Sequence, residues 1–346
     1  MRRAVVLVGM LGCASSSAAP STLAPLVDDK LVLLVTPAAD HQPFATAIDG
    51  AATSVDLAMY HLTDDAVAAS LIAAAKRGVT VRVLLDAGNL KTKAAAKLAD
   101  ALRAGGVAVH ASSAAFSITH EKAMVVDGAT TFITAINLTR DVASTRDFGV
   151  VTTKAGIAAE VDKLFDADWH NAEAGGHDTP ALAEPSLVVG PRDAEGKLVT
   201  LIASAKTDVI ATVENLGHKK IVAAFEAATA RGVTVRFIVP MCDKNPNPAL
   251  DYAPAVELAA HGASVRMMPA PESAAQPYMH SKMIQVDGGA ATYVGSENFS
   301  TNSLEHAREL GVIFANAAAA KQVAAVFDAD WAAAVAVPAD APRCGR

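Results

Sequence analysis

The chain has 346 residues, and at roughly 150 residues per domain this length predicts two domains, or one domain built from two large halves, and excludes a single small module. Hydrophobic residues make up 52% and charged residues 19%, so the chain as a whole is not disordered. The net charge of −7 argues against broad, non-specific binding to nucleic acid, although a local basic funnel is compatible with it. The three cysteines have no CxxC spacing, which excludes a zinc site of that kind and a disulfide-dense scaffold.

An export signal is predicted at residues 1–20. Two arginines precede the apolar run from Ala4 to Gly12, which is too short to span the ~30 Å hydrocarbon core of a bilayer as a helix. Cys13 directly follows this run and resembles the lipidation site of bacterial lipoproteins, while cleavage among residues 14–19 is the alternative. We therefore expect an exported protein that is periplasmic, anchored to the outer membrane as a lipoprotein, or secreted.

The segment that follows alternates between strand-like and helix-like patterns. Stretches rich in β-branched residues predict strands, and alanine-rich amphipathic stretches that end at glycine predict helices. The predicted order is strand 54–62, helix 67–78, strand 79–86, helix 94–106, strand 107–112, and a hairpin of 122–128 with 130–136 that turns at Asp127 and Gly128. This alternation predicts an α/β sandwich rather than an all-helical or all-β fold.

The same order of elements recurs, because the chain contains an internal repeat. The paired segments are 76–85 with 230–239, HEKAMVVDG from His120 with HSKMIQVDG from His280, and LFDADW ending at Trp169 with VFDADW ending at Trp331. The second half carries a few inserted residues, most of which we place in the turn-rich stretch 242–252. The predicted organisation is a first half at 28–170, a linker rich in Gly, Pro and Ala at 171–186, a second half at 187–335 and a loop-like tail at 336–346.

Residues that suit phosphate chemistry repeat in register. They are His120, Lys122, Asp127, Asn137 and Asp147 in the first half, and His280, Lys282, Asp287, Asn298 and Glu309 in the second. On a strand, the spacing of two residues between His and Lys points both side chains to one face. Asp127 and Asp287 each precede a glycine, so we predict that they stabilise turns and take no part in catalysis.

This pattern resembles the phospholipase D superfamily, whose motif is HxKxxxxD followed by a turn of the GSxN type. Two copies in register make a far more specific match than one. The resemblance covers nearly the whole chain after the signal, and it implies two tandem α/β/α sandwich halves related by a pseudo-twofold axis, with the active site between them. The first half departs from the pattern at this turn, with Thr134 and Ala135 in place of the Gly295 and Ser296 of the second half.

The resemblance also implies a mechanism that uses neither a metal nor a cofactor. One histidine attacks phosphorus to give a phosphohistidine, and the other protonates the leaving alcohol and then activates water. We expect His120 to be the nucleophile, with His280 as the open alternative. Asp147 and Glu309 are expected to orient the imidazole rings. The residues expected around the phosphoryl oxygens are Lys122, Lys282, Asn137, Asn298 and Ser296.

A second group of residues has open interpretations. Tyr60 and His61 occupy positions where the second half has Glu214 and Asn215, and they are predicted either to line the pocket or to lie on the surface. The aromatic residues in loops near the motifs, which are candidates for membrane contact, are Phe116, Tyr252 and Tyr278. In an oxidising compartment a disulfide is also permitted, and the sequence leaves the pairing of Cys242 with Cys344 undecided.

The leading functional interpretation is a phospholipase D that releases the headgroup of a glycerophospholipid at a membrane surface and leaves phosphatidic acid, with or without transfer to another alcohol. The alternative is a metal-independent nuclease acting on DNA or RNA, for which Lys91 and Lys93 with Arg77 and Arg82 offer a local basic patch. A transferase of the cardiolipin synthase type and an inactive phosphate-binding protein both rank lower. Such synthases usually carry transmembrane helices ahead of the catalytic halves and none is readable, and every residue that performs the proposed bond breaking is present twice. The fused halves predict a monomer with no obligate protein partner.

Overall fold

Two mixed β-sheets with the same strand order, each covered by helices, form the framework of the protein. The structure is a computed structural model and describes residues 23–241 and 252–338. The predictions that fall outside the described residues are the export signal with Cys13, most of the insertion at 242–252, and the pairing of Cys242 with Cys344. Within the described ranges, no helix is long and apolar enough to cross a membrane.

The first half alternates strands and helices as the sequence pattern predicts. Its elements are β1 (Val32–Val35), α1 (Gln42–Asp49), β2 (Ser54–Met59), α2 (Asp65–Lys76), β3 (Thr80–Leu85), α3 (Lys93–Ala104), β4 (Ala108–Ala111), β5 (Lys122–Val126), β6 (Thr130–Thr134), β7 (Thr145–Arg146), β8 (Phe148–Thr152) and α4 (Ala155–Ala174), with 3-10 turns at Asn89–Lys91 and Arg140–Ser144.

The second half repeats this order. Its elements are β9 (Leu187–Gly190), α5 (Ala194–Ser204), β10 (Asp208–Thr212), α6 (Lys219–Ala230), β11 (Thr234–Pro240), α7 (Ala253–Ala260), β12 (Ser264–Met268), β13 (Tyr278–Met279), β14 (Met283–Val286), β15 (Ala291–Gly295), α8 (Thr301–Glu305), β16 (Glu309–Phe314), α9 (Ala317–Ala333) and β17 (Val335–Ala336), with a 3-10 turn at Asp287–Gly289.

Helix α2 illustrates why these segments fold as they do. Asp64 precedes the helix in an extended conformation, and its carboxylate accepts a hydrogen bond from the amide of Val67, which satisfies a donor that the first helical turn leaves free. Val67, Leu71 and Ala74 follow at helical spacing and are buried, so one apolar face packs against the sheet.

The order of the first sheet is β1-β8-β6-β5-β2-β3-β4, and the second follows the same path as β9-β16-β15-β14-β10-β11-β12-β17. In each sheet three strands joined by helices run in parallel, and the predicted hairpin, β5 with β6 or β14 with β15, lies beside them in antiparallel orientation. The prediction of two tandem α/β halves is confirmed by this shared topology.

The two halves share a buried core. Val150 of β8 and Val161 of α4 belong to the same apolar cluster as Val312 of β16 and Phe327 of α9. Helices α1 to α3 cover the outer face of the first sheet and α5 to α7 that of the second, each with a core of its own. Burial across the halves fixes the position of one sheet relative to the other.

The chain between the halves begins later than the composition predicts. Helix α4 continues to Ala174, so the first residues of the predicted linker are helical. Gly175 then adopts a left-handed conformation with φ of 71°, which ends the helix. Asn171 is buried and its side chain bonds to the backbone of Asp178 at both its oxygen and its nitrogen, so contacts after the helix stabilise these last turns.

The aspartates that end the two motifs anchor the hairpins. Asp127 and Asp287 have positive φ angles of 55° and 50°. The carboxylate of Asp127 accepts hydrogen bonds from the amides of Thr53 (2.7 Å) and Ser54 (3.0 Å), and Asp287 accepts from the amide of Thr207 (2.8 Å). Each carboxylate thus binds the chain where it enters the neighbouring parallel strand, at the end of the sheet opposite to the motif histidines.

Candidate active site

Two short backbone crossings join the halves beside the motifs. Strand β7 of the first half pairs in parallel with β13 of the second, which sets Arg146 opposite Met279. An isolated parallel bridge pairs Thr119 with Arg308 in the equivalent way. These crossings are related by the pseudo-twofold axis, and each places the start of one motif against the segment that carries the acid of the other half.

Each motif histidine is hydrogen bonded to the acid of the opposite half. Nδ1 of His120 lies 2.9 Å from Oε2 of Glu309, and Nδ1 of His280 lies 2.8 Å from Oδ1 of Asp147. The amide of His120 also donates to the carbonyl of Arg308 at 2.8 Å, so the backbone register holds the pair together. Because Nδ1 faces the acid, Nε2 is the ring nitrogen available for chemistry.

A cavity of about 410 Å³ lies where the halves meet, within the size range of small-molecule sites. The predicted site residues that line it are His120, His280, Asn137, Asn298 and Glu309. Tyr60 and His61, whose roles the sequence left open, line it as well, and so do their second-half counterparts Glu214 and Asn215.

The motif lysines are buried beneath this wall. Nζ of Lys122 donates to the carbonyl of His120 at 2.6 Å and lies 5.1 Å from the ring centroid of Tyr60. Nζ of Lys282 donates to the carbonyl of His280 and to Oε2 of Glu214 at 3.2 Å. Both ammonium groups are thus held close to the histidines, in positions from which they act on charge in the cavity.

The two turns that follow the hairpins differ in what they offer the cavity. The side chain of Asn298 accepts from the amide of Asn215 at 3.0 Å, whereas Oδ1 of Asn137 is buried without a partner among the described residues. The hydroxyl of Ser296 is fully buried and accepts from the amide of Leu310 at 3.0 Å. Ser296 was expected at the phosphate; its hydroxyl instead bonds to the backbone of Leu310 and to the carboxylate of Glu309. In the first half the equivalent residue is Ala135.

The electrostatics of the two histidines differ. Burial, together with the positive charges of Lys122 and Lys282, lowers the pKa of His120 well below its usual 6.5. Burial also lowers the pKa of Lys122 to about 7 and raises that of Glu309 to about 7. His280 instead lies between two carboxylates, because Oε2 of Glu214 is 3.6 Å from its Nε2 and Asp147 binds its Nδ1. The site is therefore symmetric in its framework and asymmetric in its charges.

Two arginines that were not among the predicted site residues anchor the acids, one fully buried and one partly buried. Arg308 precedes Glu309, is completely buried, and its guanidinium lies 2.9 Å from Asp168 of the first half. Arg146 precedes Asp147 and makes a two-point ion pair with Asp330 of the second half at 2.7 and 3.0 Å. Both members of each pair repeat in register: an arginine precedes each acid, and its partner is the second aspartate of each FDADW segment. This repetition is the sequence signal that identifies the pairs.

The predicted basic patch and membrane-contact residues have other roles in the structure. The guanidinium of Arg77 donates to the carbonyl of Ile48, and that of Arg82 makes a two-point ion pair with Asp56 at 2.6 and 2.9 Å. These arginines stabilise the scaffold, so the expected basic funnel loses half of its members.

The aromatic candidates for membrane contact are also buried or bonded within the protein. Phe116 and Tyr252 are only 6% and 4% exposed, so neither presents a wedge to a bilayer. The ring of Phe116 instead packs under the guanidinium of Arg308, 4.4 Å from its centre. Tyr278 is half-buried and its hydroxyl donates to Oε1 of Glu214 at 3.2 Å.

One group of side chains among the described residues has the geometry to hold a metal ion, and it lies outside this cavity wall. It consists of Glu195, His218 and Glu305. Nζ of Lys220 already donates to the carboxylate of Glu195 at 2.6 Å. The ammonium group of Lys220 therefore competes with a metal ion for this carboxylate.

Comparisons with known proteins agree on the fold and differ in detail. The family profile described as "Cardiolipin synthase, PLD-like domain" matches residues 44–169 and 198–331. Cardiolipin synthase A of Pseudomonas aeruginosa is 26% identical over 353 residues, which cover 89% of this chain and 68% of that protein. The probable cardiolipin synthase YwiE of Bacillus subtilis is 26% identical over 289 residues, which cover 74% of this chain and 56% of that protein, so this chain spans little more than half of it.

A solved structure gives the same picture of the framework. Phosphatidylserine synthase of Haemophilus influenzae superimposes with a TM-score of 0.67 at 11% identity, covering 89% of this chain and 87% of that chain. At this identity the likeness concerns the fold alone.

Proposed function

Because the chain belongs to the phospholipase D superfamily, we propose that it transfers the phosphatidyl group of a glycerophospholipid to the hydroxyl of an acceptor alcohol, with water as a competing acceptor that yields phosphatidic acid. The observation that supports this chemistry best is the pair of histidines, each bound to the acid of the other half, across one cavity. Transfer now ranks ahead of the hydrolysis that the sequence analysis favoured, because both relatives carry the name of a synthase.

The first step forms a covalent intermediate. Nε2 of His120 attacks phosphorus, a P–N bond forms, and the P–O bond to the headgroup alcohol breaks. His280 gives the proton on its Nε2 to the departing oxygen, so the alcohol leaves neutral. The lowered pKa of His120 supports this assignment, because only the neutral ring has a free electron pair for attack.

The second step reverses these roles at the histidines. The hydroxyl oxygen of the acceptor attacks phosphorus while its proton passes to Nε2 of His280, and the P–N bond breaks with its electron pair returning to His120. Glu309 and Asp147 hold Nδ1 of the two rings throughout, which fixes the tautomer that each step needs. Lys122 and Lys282 stabilise the charge on the phosphoryl oxygens.

The substrate and the compartment belong to the same proposal. A glycerophospholipid presents its phosphodiester at a membrane surface, and the predicted signal at 1–20 directs the enzyme to a surface outside the cytoplasm. Nothing in this mechanism calls for a metal ion, so activity is expected to persist in EDTA.

The test uses the purified protein with EDTA present. It is offered vesicles of phosphatidylglycerol or phosphatidylcholine and, separately, single- and double-stranded DNA, with His120→Ala and His280→Ala as matched blanks. Headgroup release with formation of a new phospholipid or phosphatidic acid, absent in both blanks, is the expected result. Cleavage of DNA with inert lipids would move the protein to the nucleases, and substantial lipid turnover in either blank would contradict the mechanism of two histidines.

A further inference from the structure

One carboxylate breaks the symmetry of the cavity. Glu214 follows β10 at the position that Tyr60 occupies after β2. Its Oε2 lies 3.2 Å from Nζ of Lys282, 3.4 Å from Nδ2 of Asn298 and 3.6 Å from Nε2 of His280. The second half therefore holds an anionic side chain beside its Lys, Asn and His, where the first half has a tyrosine ring beside its Lys and His.

The position of Glu214 divides the cavity between two kinds of ligand. An anionic phosphoryl oxygen is repelled by a carboxylate at this range, so the phosphate charge lies on the side of the two lysines away from Glu214, nearer Lys122 and Asn137 than Lys282. Asn137 lines this side of the cavity, and its side-chain amide nitrogen is a donor suited to a phosphoryl oxygen. The space beside Glu214 and His280 is then left for the alcohol that enters or leaves at phosphorus.

The remaining hydrogen-bonding capacity of Glu214 suits a neutral hydroxyl donor. A carboxylate offers about four lone-pair sites. Lys282 and Asn298 use Oε2, and Tyr278 donates to Oε1 at 3.2 Å, which leaves acceptor capacity on a side chain that lines the cavity. A second ammonium here would be repelled by the charge of Lys282, whereas a neutral hydroxyl donates a hydrogen bond to Glu214 without that repulsion.

We propose that Glu214 accepts a hydrogen bond from the second hydroxyl of a 1,2-diol acceptor, so that the enzyme selects glycerol-like alcohols over simple alcohols and amino alcohols. The inference rests on the proposed transfer reaction. The reacting hydroxyl loses its proton to Nε2 of His280 as its oxygen bonds to phosphorus and the P–N bond to His120 breaks. The hydroxyl on the adjacent carbon then lies within reach of the Glu214 carboxylate, whose Oε2 is 3.6 Å from the same Nε2 and whose Oε1 keeps acceptor capacity beside Tyr278.

The experiment measures how one phosphoenzyme partitions among competing acceptors. Phosphatidylcholine vesicles and, separately, bis(p-nitrophenyl) phosphate serve as donors, with equal concentrations of ethanol, ethylene glycol and ethanolamine present together. Mass spectrometry gives the ratio of the alkyl phosphodiester products for the unaltered protein and for Glu214→Ala, Glu214→Gln and Tyr60→Phe. The last variant alters the pseudo-symmetric position, and circular dichroism monitors folding of all four proteins.

The expected preference for ethylene glycol over ethanol, corrected for its two equivalent hydroxyls, is roughly tenfold or more, the value of one hydrogen bond to a charged group. It should fall to about unity in Glu214→Ala, fall part of the way in Glu214→Gln, whose amide oxygen still accepts, and stay unchanged in Tyr60→Phe. Because the ratio is taken within one reaction, it does not depend on the overall rate, and Glu214→Gln provides it if Glu214→Ala is too slow to measure.

Three results overturn the proposal. They are a glycol preference that Glu214→Ala retains, a loss of transfer to ethanol as large as the loss to the glycol, and a preference for ethanolamine over the glycol. The synthetic diester separates this proposal from the proposed function. If the enzyme cleaves it but not the lipid, the lipid assignment fails while the product ratio still tests Glu214.

Discussion

Replacing the two acids by amides should slow the two chemical steps to different extents. The perturbations are Glu309→Gln and Asp147→Asn, which keep the shape of each side chain and remove its charge. Glu309 binds Nδ1 of His120, the proposed nucleophile, and Asp147 binds Nδ1 of His280, the proposed acid and base. Each variant therefore weakens one histidine and leaves the other with its partner.

The size of the effect follows from the geometry at each acid. Losing one hydrogen bond to a charged group costs about 1.5–3 kcal/mol, or roughly a ten- to hundredfold lower rate. The loss grows toward about 10⁴-fold if the amide NH₂ turns to Nδ1 and moves the imidazole proton to Nε2, since the ring then presents the wrong tautomer. In Glu309→Gln this flip depends on Ser303, whose hydroxyl donates to the other carboxylate oxygen and is able to donate to the amide oxygen instead.

Rapid-quench measurements with labelled lipid separate the two steps. Glu309→Gln should slow formation of the phosphoenzyme and leave its decay less affected, so the intermediate does not accumulate. Asp147→Asn should slow both formation and decay, because His280 donates the proton in the first step and accepts it in the second. Accumulation in Glu309→Gln but not in Asp147→Asn would refute the assignment and make His280 the nucleophile.

Three further predictions concern single side chains. Burial lowers the pKa of Lys122 to about 7, so kcat/KM should fall as the pH rises through about 7. The Lys122→Arg variant stays charged and should therefore move this decline to higher pH, and a decline that does not move would show that another group titrates. Asp127→Ala should cost about 1 kcal/mol of stability in thermal unfolding, as the loss of a cap does, without lowering activity per folded molecule, and Asp127→Asn should cost less. Because the hydrogen bonds of Asp127 lower its pKa to about 2, its contribution is complete above its ordinary pKa and is lost as the pH falls through about 2, so the difference between variant and parent should disappear in acid. Arg308→Met leaves the Asp168 carboxylate buried without its arginine partner, so it should lower the free energy of unfolding by about 3–5 kcal/mol. Adding Asp168→Leu should recover part of that loss, and a double variant that is less stable than Arg308→Met alone would contradict this reasoning.

Much of the fold was accessible to the sequence because it depends on local patterns. The alternation of strands and helices, the hairpins at Asp127 and Asp287 and the duplication all follow from spacing within short segments. The end of α4 was misplaced because composition favours a loop from Asn171, whereas burial of that side chain and its bonds to Asp178 extend the helix. Tertiary contact decided a boundary that propensity alone placed too early.

The site was accessible only in part. The repeat identifies His120 and His280 as a pair, but the pattern of hydrogen bonds around Ser296 depends on which way the hydroxyl points, and no spacing encodes that. Glu214 has no counterpart of its own kind in the first half, so a search for repeated residues passes over it. The residues that make a duplicated site asymmetric are, for this reason, the ones that a repeat conceals.

The crossed pairing explains why duplication matters for this chemistry. Nδ1 of His120 meets an acid from the second half, and Nδ1 of His280 meets an acid from the first, so neither half holds a complete pair of histidine and orienting acid. The buried ion pair of Arg308 with Asp168 and the partly buried pair of Arg146 with Asp330 cross the same boundary one residue before each acid. A shift of one half against the other that separates an acid from its histidine therefore also strains an adjacent ion pair. These pairs resist separation of the halves and so hold both histidines at one cavity, as the proposed displacement in two steps at a single phosphorus requires.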